Sequence, residues 1–251
     1  MALAFISNYG NVRITMEKTI ETEEKKPKKE DPMIEEMTKA GLYFGHRTSK
    51  IHPGMMPYTK GIRNGVYIID LEATSKMLSS ALDFIKKIVS EKKILLLVGT
   101  KIQTKSMVEE TAKKADLPFV SQRWLGGTFT NFESIKKRID NYKDLEDKKK
   151  KGDFEKYTKK ERIRLDEEIE ALRIKFEGIK NLEKLPDAVF VCDMKKDELA
   201  VKEAKAKGIK VIAIADTNVN PAMADYPIPA NDDAVSSVRY ILEKMAEAVK
   251  K

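Results

Sequence analysis

Ala188-Val189-Phe190-Val191-Cys192 and Val211-Ile212-Ala213-Ile214-Ala215, with the Ala- and Lys-rich stretch Glu198 to Lys207 between them, decide the class of this fold. Neither run alternates apolar with polar residues, so each strand must be covered on both faces. Doubly buried strands joined through a helix are the mark of a parallel α/β sheet. Working outward, Ile94 to Val98 is a third such run, closed by Gly99, and Pro118-Phe119-Val120 is a short fourth. Val66-Tyr67-Ile68-Ile69, ending at Asp70, reads as a fifth. Helical stretches lie between and around them. Met77, Leu78, Ala81, Leu82, Ile85 and Ile88 share one face, Thr104 to Ala115 forms another helix, and Asp232 to about Lys250 closes the chain. Met33, Ile34, Met37 and Ala40 make a short helix that Gly41 ends. The expected fold is a flavodoxin-like parallel sheet of about five strands flanked by helices.

Residues 132–183 depart from this rhythm. Phe132, Ile135, Ile139, Tyr142 and Leu145 recur every three or four residues. After the basic run Lys148 to Lys151 and the turn Gly152-Asp153, Leu165, Ile169, Leu172, Phe176 and Ile179 keep the four-three spacing of a coiled-coil seam. Thr158 and Glu161 have the spacing of a capping box. Each helix carries one thin apolar stripe on a charged background. The expectation is an inserted, protruding antiparallel coiled-coil hairpin, with 32–131 and 184–251 as the α/β domain. Residues 1–31, almost wholly charged from Glu21 to Asp31, read as a disordered extension.

Hydrophobic residues make up 41% of the 251, enough for a sizeable core, while 35% are charged, well above the ~25% usual for globular domains. The excess belongs to the hairpin or to a surface facing phosphate. The formal net charge is +8, from 48 Lys+Arg against 40 Asp+Glu, which attracts polyanions without identifying one. No apolar run reaches the ~20 residues that span a bilayer. The N-terminus lacks the pattern of a secretory signal, and the single Cys192 lies in a strand interior. These features predict a soluble cytoplasmic protein.

Catalytic signals are sparse. Gly99-Thr100-Lys101 follows a strand, yet neither phosphate-loop nor dinucleotide glycine spacing is present. Asp70, Asp193 and Asp216 fall at predicted strand ends, where open α/β sheets place active sites. They admit an alternative reading as a flavodoxin-like signalling or catalytic domain. The simpler reading is that they cap helices and turns. A metal set of His46, Asp193 and Asp216 is a weaker possibility, since these are ligand types. His46 and His52 are the only histidines, and no nucleophile–base pair has recognisable spacing.

The stronger signal is the segment Gly45 to Asn64. It carries His46, Arg47, Lys50, His52, Lys60, Arg63 and Asn64 without one acid, in a chain holding 40 of them. Read as a loop stiffened by Pro53 and Pro57, it suits phosphate neutralisation and shape recognition of folded RNA. Arg123 and Trp124, beside Gly126-Gly127, form a second candidate RNA contact; the plainer reading of the tryptophan is a core residue at a tight turn.

Several stretches resemble the small-subunit ribosomal protein S two family in its bacterial form. They are Ala40 to His46, Asn64 to Leu71, Val98 to Lys101, Arg123 to Gly127 with Thr130-Asn131, Leu185 to Ala188, Asp216 to Asn218 and Ile228 to Ala234, covering roughly residues 33 to 249. The resemblance implies a non-enzymatic, ribosome-associated protein without cofactor or small-molecule substrate. It implies a seat on small-subunit rRNA where head meets body, a role late in subunit assembly, and docking of other small-subunit proteins including ribosomal protein S one. The hairpin residues Tyr142, Leu165, Leu172 and Phe176 are then candidates for partner docking. Residues 1–31 have no counterpart in the family's pattern.

Overall fold

The computed structural model describes residues 32–250, and the extension expected over 1–31 lies outside them. Helix α1 (Pro32–Ala40) leads into β1 (Phe44–Arg47), β2 (Thr59–Arg63) and β3 (Val66–Ile69). Then follow α2 (Leu71–Ser90), β4 (Leu95–Val98), α3 (Lys105–Ala115), β5 (Phe119–Val120), α4 (Phe132–Lys150) and α5 (Lys159–Phe176). The chain continues through β6 (Ala188–Val191), α6 (Glu198–Ala206), β7 (Lys210–Ala215), β8 (Tyr226–Pro229) and α7 (Val235–Lys250).

Five strands form one parallel sheet in the order β5-β4-β6-β7-β8. Counted along the chain this is 2-1-3-4-5, the flavodoxin-like winding, whose crevice opens at the carboxyl ends where the first and third strands adjoin. The period-two alternation of a strand divides the core by sheet face. Leu96, Val98, Val189, Val191, Val211 and Ala213 face one cluster; Leu95, Leu97, Phe190, Ile212 and Ile214 face the other, closed by α2, α3 and α7. Cys192, just past β6, is buried there as expected.

The strand number is as expected, but the membership differs. Val66–Ile69 does not join the parallel sheet; it is the centre of a separate antiparallel sheet, β1-β3-β2. The segment expected as a loop over 45–64 therefore supplies two of its strands. Asn64 and Gly65 have φ of 51° and 74°, and Arg63 pairs with Val66 across them, which is a two-residue type I′ hairpin. Asn-Gly between strand-like runs is the strongest short-range hairpin signal. The missing parallel strand is β8. Its Pro227 and Pro229 have no N–H to give a neighbour, which only an edge position tolerates, and β8 is the edge.

α4 and α5 pack on one another through a 3-10 turn at Asp153–Lys156. Ile135, Ile139, Tyr142, Ile169 and Phe176 are buried between them and the sheet's first cluster, with Leu145, Leu165 and Leu172 half-buried alongside. The capping box forms. Glu161 N donates to Thr158 Oγ1 at 3.4 Å, and Thr158 N donates to Glu161 Oε2 at 2.9 Å. Tyr142 Oη donates to Glu177 Oε2 at 2.6 Å, tying α4 to the end of α5.

Candidate nucleic-acid interface

The basic segment is mounted on the antiparallel sheet and braced against the end of β7. His46 N donates to Thr217 Oγ1 at 2.8 Å, and His52 N donates to Thr217 O at 2.8 Å. The approach is close enough that a Cβ on Gly45 would sit 2.6 Å from Thr217 Cγ2, so only glycine fits there. Met55, fully buried, anchors the 3-10 turn Pro53–Tyr58 into the core.

Among the residues singled out from sequence, Arg47, Lys50, Arg63, Asn64 and Arg123 are exposed. Met56 and Ile62 in the same segment and Phe44 next to it are exposed, so the surface mixes cations with apolar side chains. Lys60 is exposed but shares its charge with Asp70 at 3.1 Å and Glu72 at 3.3 Å. His52 is half-buried, its Nδ1 accepting from Gly54 N at 3.1 Å, which fixes the ring. Tyr142 and Phe176 are buried and Leu165 and Leu172 half-buried, so these four hold the two helices together instead of forming an open face.

Of the two readings of Trp124, an RNA contact or a core residue at a tight turn, its surroundings match the second. It is 7% exposed, lies edge-on to Phe129 at 4.7 Å between centroids, and donates Nε1–H to Glu203 Oε1 at 3.4 Å. A ring so enclosed has no face to offer a base. Glu203 organises the whole turn. It also accepts from the N–H groups of Gly127 at 2.8 Å, Phe129 at 2.9 Å and Thr130 at 3.2 Å. Burial works to raise its pKa, but these donors outweigh it and hold the carboxyl below the ordinary glutamate value. Sequence reading missed Glu203, although an acid beside Ala200, Val201 and Ala204 on the buried stripe of α6 is a signal for one.

His46 turns inward. Its Nδ1 lies 3.2 Å from Asp216 Oδ2, and its Nε2 lies 3.5 Å from Asp233 Oδ2 and 3.0 Å from Asn218 Nδ2. The hydrogen bond to Asp216 raises its pKa, with Asp232 and Asp233 adding to it against the opposing effect of burial. Beside it the Lys101 ammonium meets Asp193 at 3.1 Å, Asp232 at 3.0 Å and Asp233 at 2.6 Å. Burial lowers the lysine pKa, but these carboxylates more than reverse it. Burial together with Asp193 and Asp216 pushes Asp232 up to about 7, against the pull of Lys101.

The strand-end acids are thus committed to structure. Asp70 caps α2 by accepting from Glu72 N at 3.0 Å. Asp193 Oδ1 accepts from the N–H groups of Lys195 and Lys196, and its other oxygen faces Lys101. Asp216 takes the Thr217 N–H on one oxygen and His46 on the other. Asp197 receives both the N–H and the hydroxyl of Thr100. The less favoured metal set of His46, Asp193 and Asp216 does not assemble, because the Lys101 ammonium faces Asp193 at 3.1 Å. Among the described residues no group of three or more His, Cys, Asp or Glu is placed to hold a metal ion. Among them, no helix is long and apolar enough to cross a membrane.

Comparison with known proteins gives one answer. A sequence profile of the family described as Ribosomal protein S2 matches residues 37–251. The small ribosomal subunit protein uS2 of Dehalococcoides mccartyi strain 195 is 46% identical over 216 residues, which is 86% of this chain and 88% of that protein. The uS2 protein of Dictyoglomus thermophilum is also 46% identical, over 217 residues and the same shares. That of Koribacter versatilis is 43% identical over 216 residues, 86% of this chain and 72% of its own.

Proposed function

The chain belongs to the ribosomal protein S2 family, and from that premise we propose that it is a structural, non-enzymatic component of the small ribosomal subunit that binds rRNA through its antiparallel sheet. The carrying observation is that Arg47, Lys50 and Arg63 stand exposed on one braced segment that contains no acid. Cations held on a rigid support neutralise phosphates with little ordering cost, and such binding is salt-dependent and largely indifferent to sequence. Arg123, exposed beside the Glu203-centred turn, adds a second point. Lys60, paired with Asp70 and Glu72, and the inward His46 contribute less. Trp124 contributes through the fold alone.

The family membership supports a cytoplasmic seat where the head of the subunit meets its body, and a role late in assembly. Residues 132–183 act as a coiled-coil hairpin inserted into the α/β domain. Its outward face, where Ile163 and Ile174 are about half exposed among acids, supports docking of a neighbouring small-subunit protein such as ribosomal protein S one.

The test is co-sedimentation of the tagged protein with small subunits, with binding to naked rRNA titrated against salt. Recovery in the subunit fraction and a steep salt slope are expected; salt-insensitive binding, or absence from purified subunits, sinks the reading. Deleting 133–183 is expected to remove the protein partner and spare rRNA binding.

A further inference from the structure

A groove follows the β5 edge of the parallel sheet. Its wider part, a cavity of about 650 Å³, opens where the carboxyl ends of β4 and β6 adjoin, between residues 100–103 and residues 193–199. Its narrower part, about 170 Å³, lies beside β5 between α3 and the end of α5. Gln122 and Arg123 line both. The turn after α5 rests directly on β5, leaving no room for a Cβ on Gly178 against Phe119 O, so the walls are fixed. Lys113, Arg123, Lys175 and Lys196 line this groove, stand exposed and make no ion pair among the described residues. The acids of the walls are engaged: Asp197 by Thr100, Asp193 by Lys101, Glu109 by the Ser121 hydroxyl at 2.6 Å and Glu177 by that of Tyr142. Arg173, held by Glu170 at 2.8 Å, counts for less.

We propose that this groove is a second RNA-binding surface, gripping the phosphate backbone of a stretch of rRNA other than the one on the antiparallel sheet; the inference rests on the rRNA-binding reading above. The four unpaired cations come from four places in the fold: α3, the turn after β5, α5 and the turn after β6. They are spread along the whole groove, which suits a ligand whose charge repeats at every unit, as a phosphate backbone does. The grip is on backbone and not on bases, because neither aromatic residue of the walls is free to stack. Trp124 is enclosed, and Phe119 packs on the core cluster behind β5. The stretch is a separate one because Asp193, Asp232 and the exposed Asp233, gathered round Lys101, stand between the groove and His46 of the antiparallel sheet. Acids there interrupt the positive field that one continuous strand would follow.

The experiment is filter binding of the full chain to naked small-subunit rRNA over a range of salt concentrations. A groove variant combining Lys113→Gln, Lys175→Gln and Lys196→Gln should reduce the slope of log K against log salt by about 2–3. Its melting temperature should match that of the natural protein, because all three side chains are exposed. A control combining Lys92→Gln, Lys184→Gln and Lys207→Gln removes the same charge from exposed positions at the amino ends of β4, β6 and β7, and should change the slope by less than about 1. Joining the groove changes to Arg47→Gln and Arg63→Gln should add the two losses, about 4–5 in all, as expected of separate surfaces. An unchanged slope in the groove variant, with the arginine pair still lowering it, overturns the groove and leaves the rRNA reading standing. An acidic protein segment seated in the groove would give that result. Equal losses in the groove and control variants overturn it too, since charge then acts without a site. Salt-insensitive binding of the natural protein, or a slope that none of the variants changes, sinks both.

Discussion

Glu203 Oε1 accepts the backbone N–H of Gly127 at 2.8 Å, and the carboxylate's other oxygen reaches Phe129 N at 2.9 Å. One buried side chain on α6 thereby shapes a turn more than seventy residues earlier, next to the exposed Arg123.

Glu203→Leu should destabilise the protein by about 2–4 kcal/mol, because several buried N–H groups lose their acceptor together. Glu203→Gln, which keeps one carbonyl oxygen, should fall between. Chemical denaturation of the three proteins measures this; a loss within 0.5 kcal/mol for the leucine variant, on the usual ~0.5 kcal/mol scale of surface changes, contradicts the role given to Glu203.

Trp124 and Arg123, adjacent in sequence, should separate cleanly. Trp124→Ala should lower stability by about 3–5 kcal/mol, as removal of a buried aromatic does. Arg123→Ala and Arg63→Ala should leave stability within ~0.5 kcal/mol and each reduce the slope of log K against log salt by about 1. Lys60→Ala should change that slope less than Arg63→Ala, since Asp70 and Glu72 already partner Lys60. Filter binding to rRNA at several salt concentrations decides the order.

His46 has a raised folded pKa, so the fold favours its imidazolium. Its contribution should be whole below the ordinary value of 6.5 and fade as pH rises through the higher folded value. The difference in melting temperature between the natural protein and His46→Gln should therefore be largest near the acid end and shrink above neutrality. A gap that widens with rising pH would reverse the sign and remove Asp216 as the cause.

Lys101→Met should destabilise by about 3 kcal/mol or more at neutral pH, because Asp193 and Asp232 are left buried without their cation. Acid should restore part of the loss. Asp232, already pushed up to about 7, is protonated readily as pH falls, and its neighbours follow once the lysine is gone. Urea midpoints at two pH values test this.

Gly45→Ala should dislodge β1 from the end of β7, since the added methyl would overlap Thr217. Protection of the His46 and His52 amides from hydrogen exchange should drop while that of the β6 and β7 amides stays. Unchanged protection at both would show the contact with Thr217 to be slack.

Much of the architecture was legible because its signals are local. Unbroken apolar runs such as Val189 to Val191 admit one reading, a strand covered on both faces, and the capping box at Thr158 and Glu161 needs no distant partner. The acid-free segment and the family resemblance likewise stand in the chain itself, and the comparisons agree with the resemblance. What escaped was set by neighbours far away in sequence. β8 carries two prolines that argue against a strand until its edge position is known. Val66 to Ile69 looks like any buried strand, and only pairing with β1 and β2 assigns it to the other sheet. The fate of single polar residues was least legible of all. Whether His46 or Trp124 faces solvent depends on Asp216 and Glu203, brought to them by long-range folding, and Lys60 is exposed but paired with Asp70 across the antiparallel sheet. A side chain's type and spacing state what it can do; burial and partners, which exist only once the chain has closed on itself, decide which of those things it does.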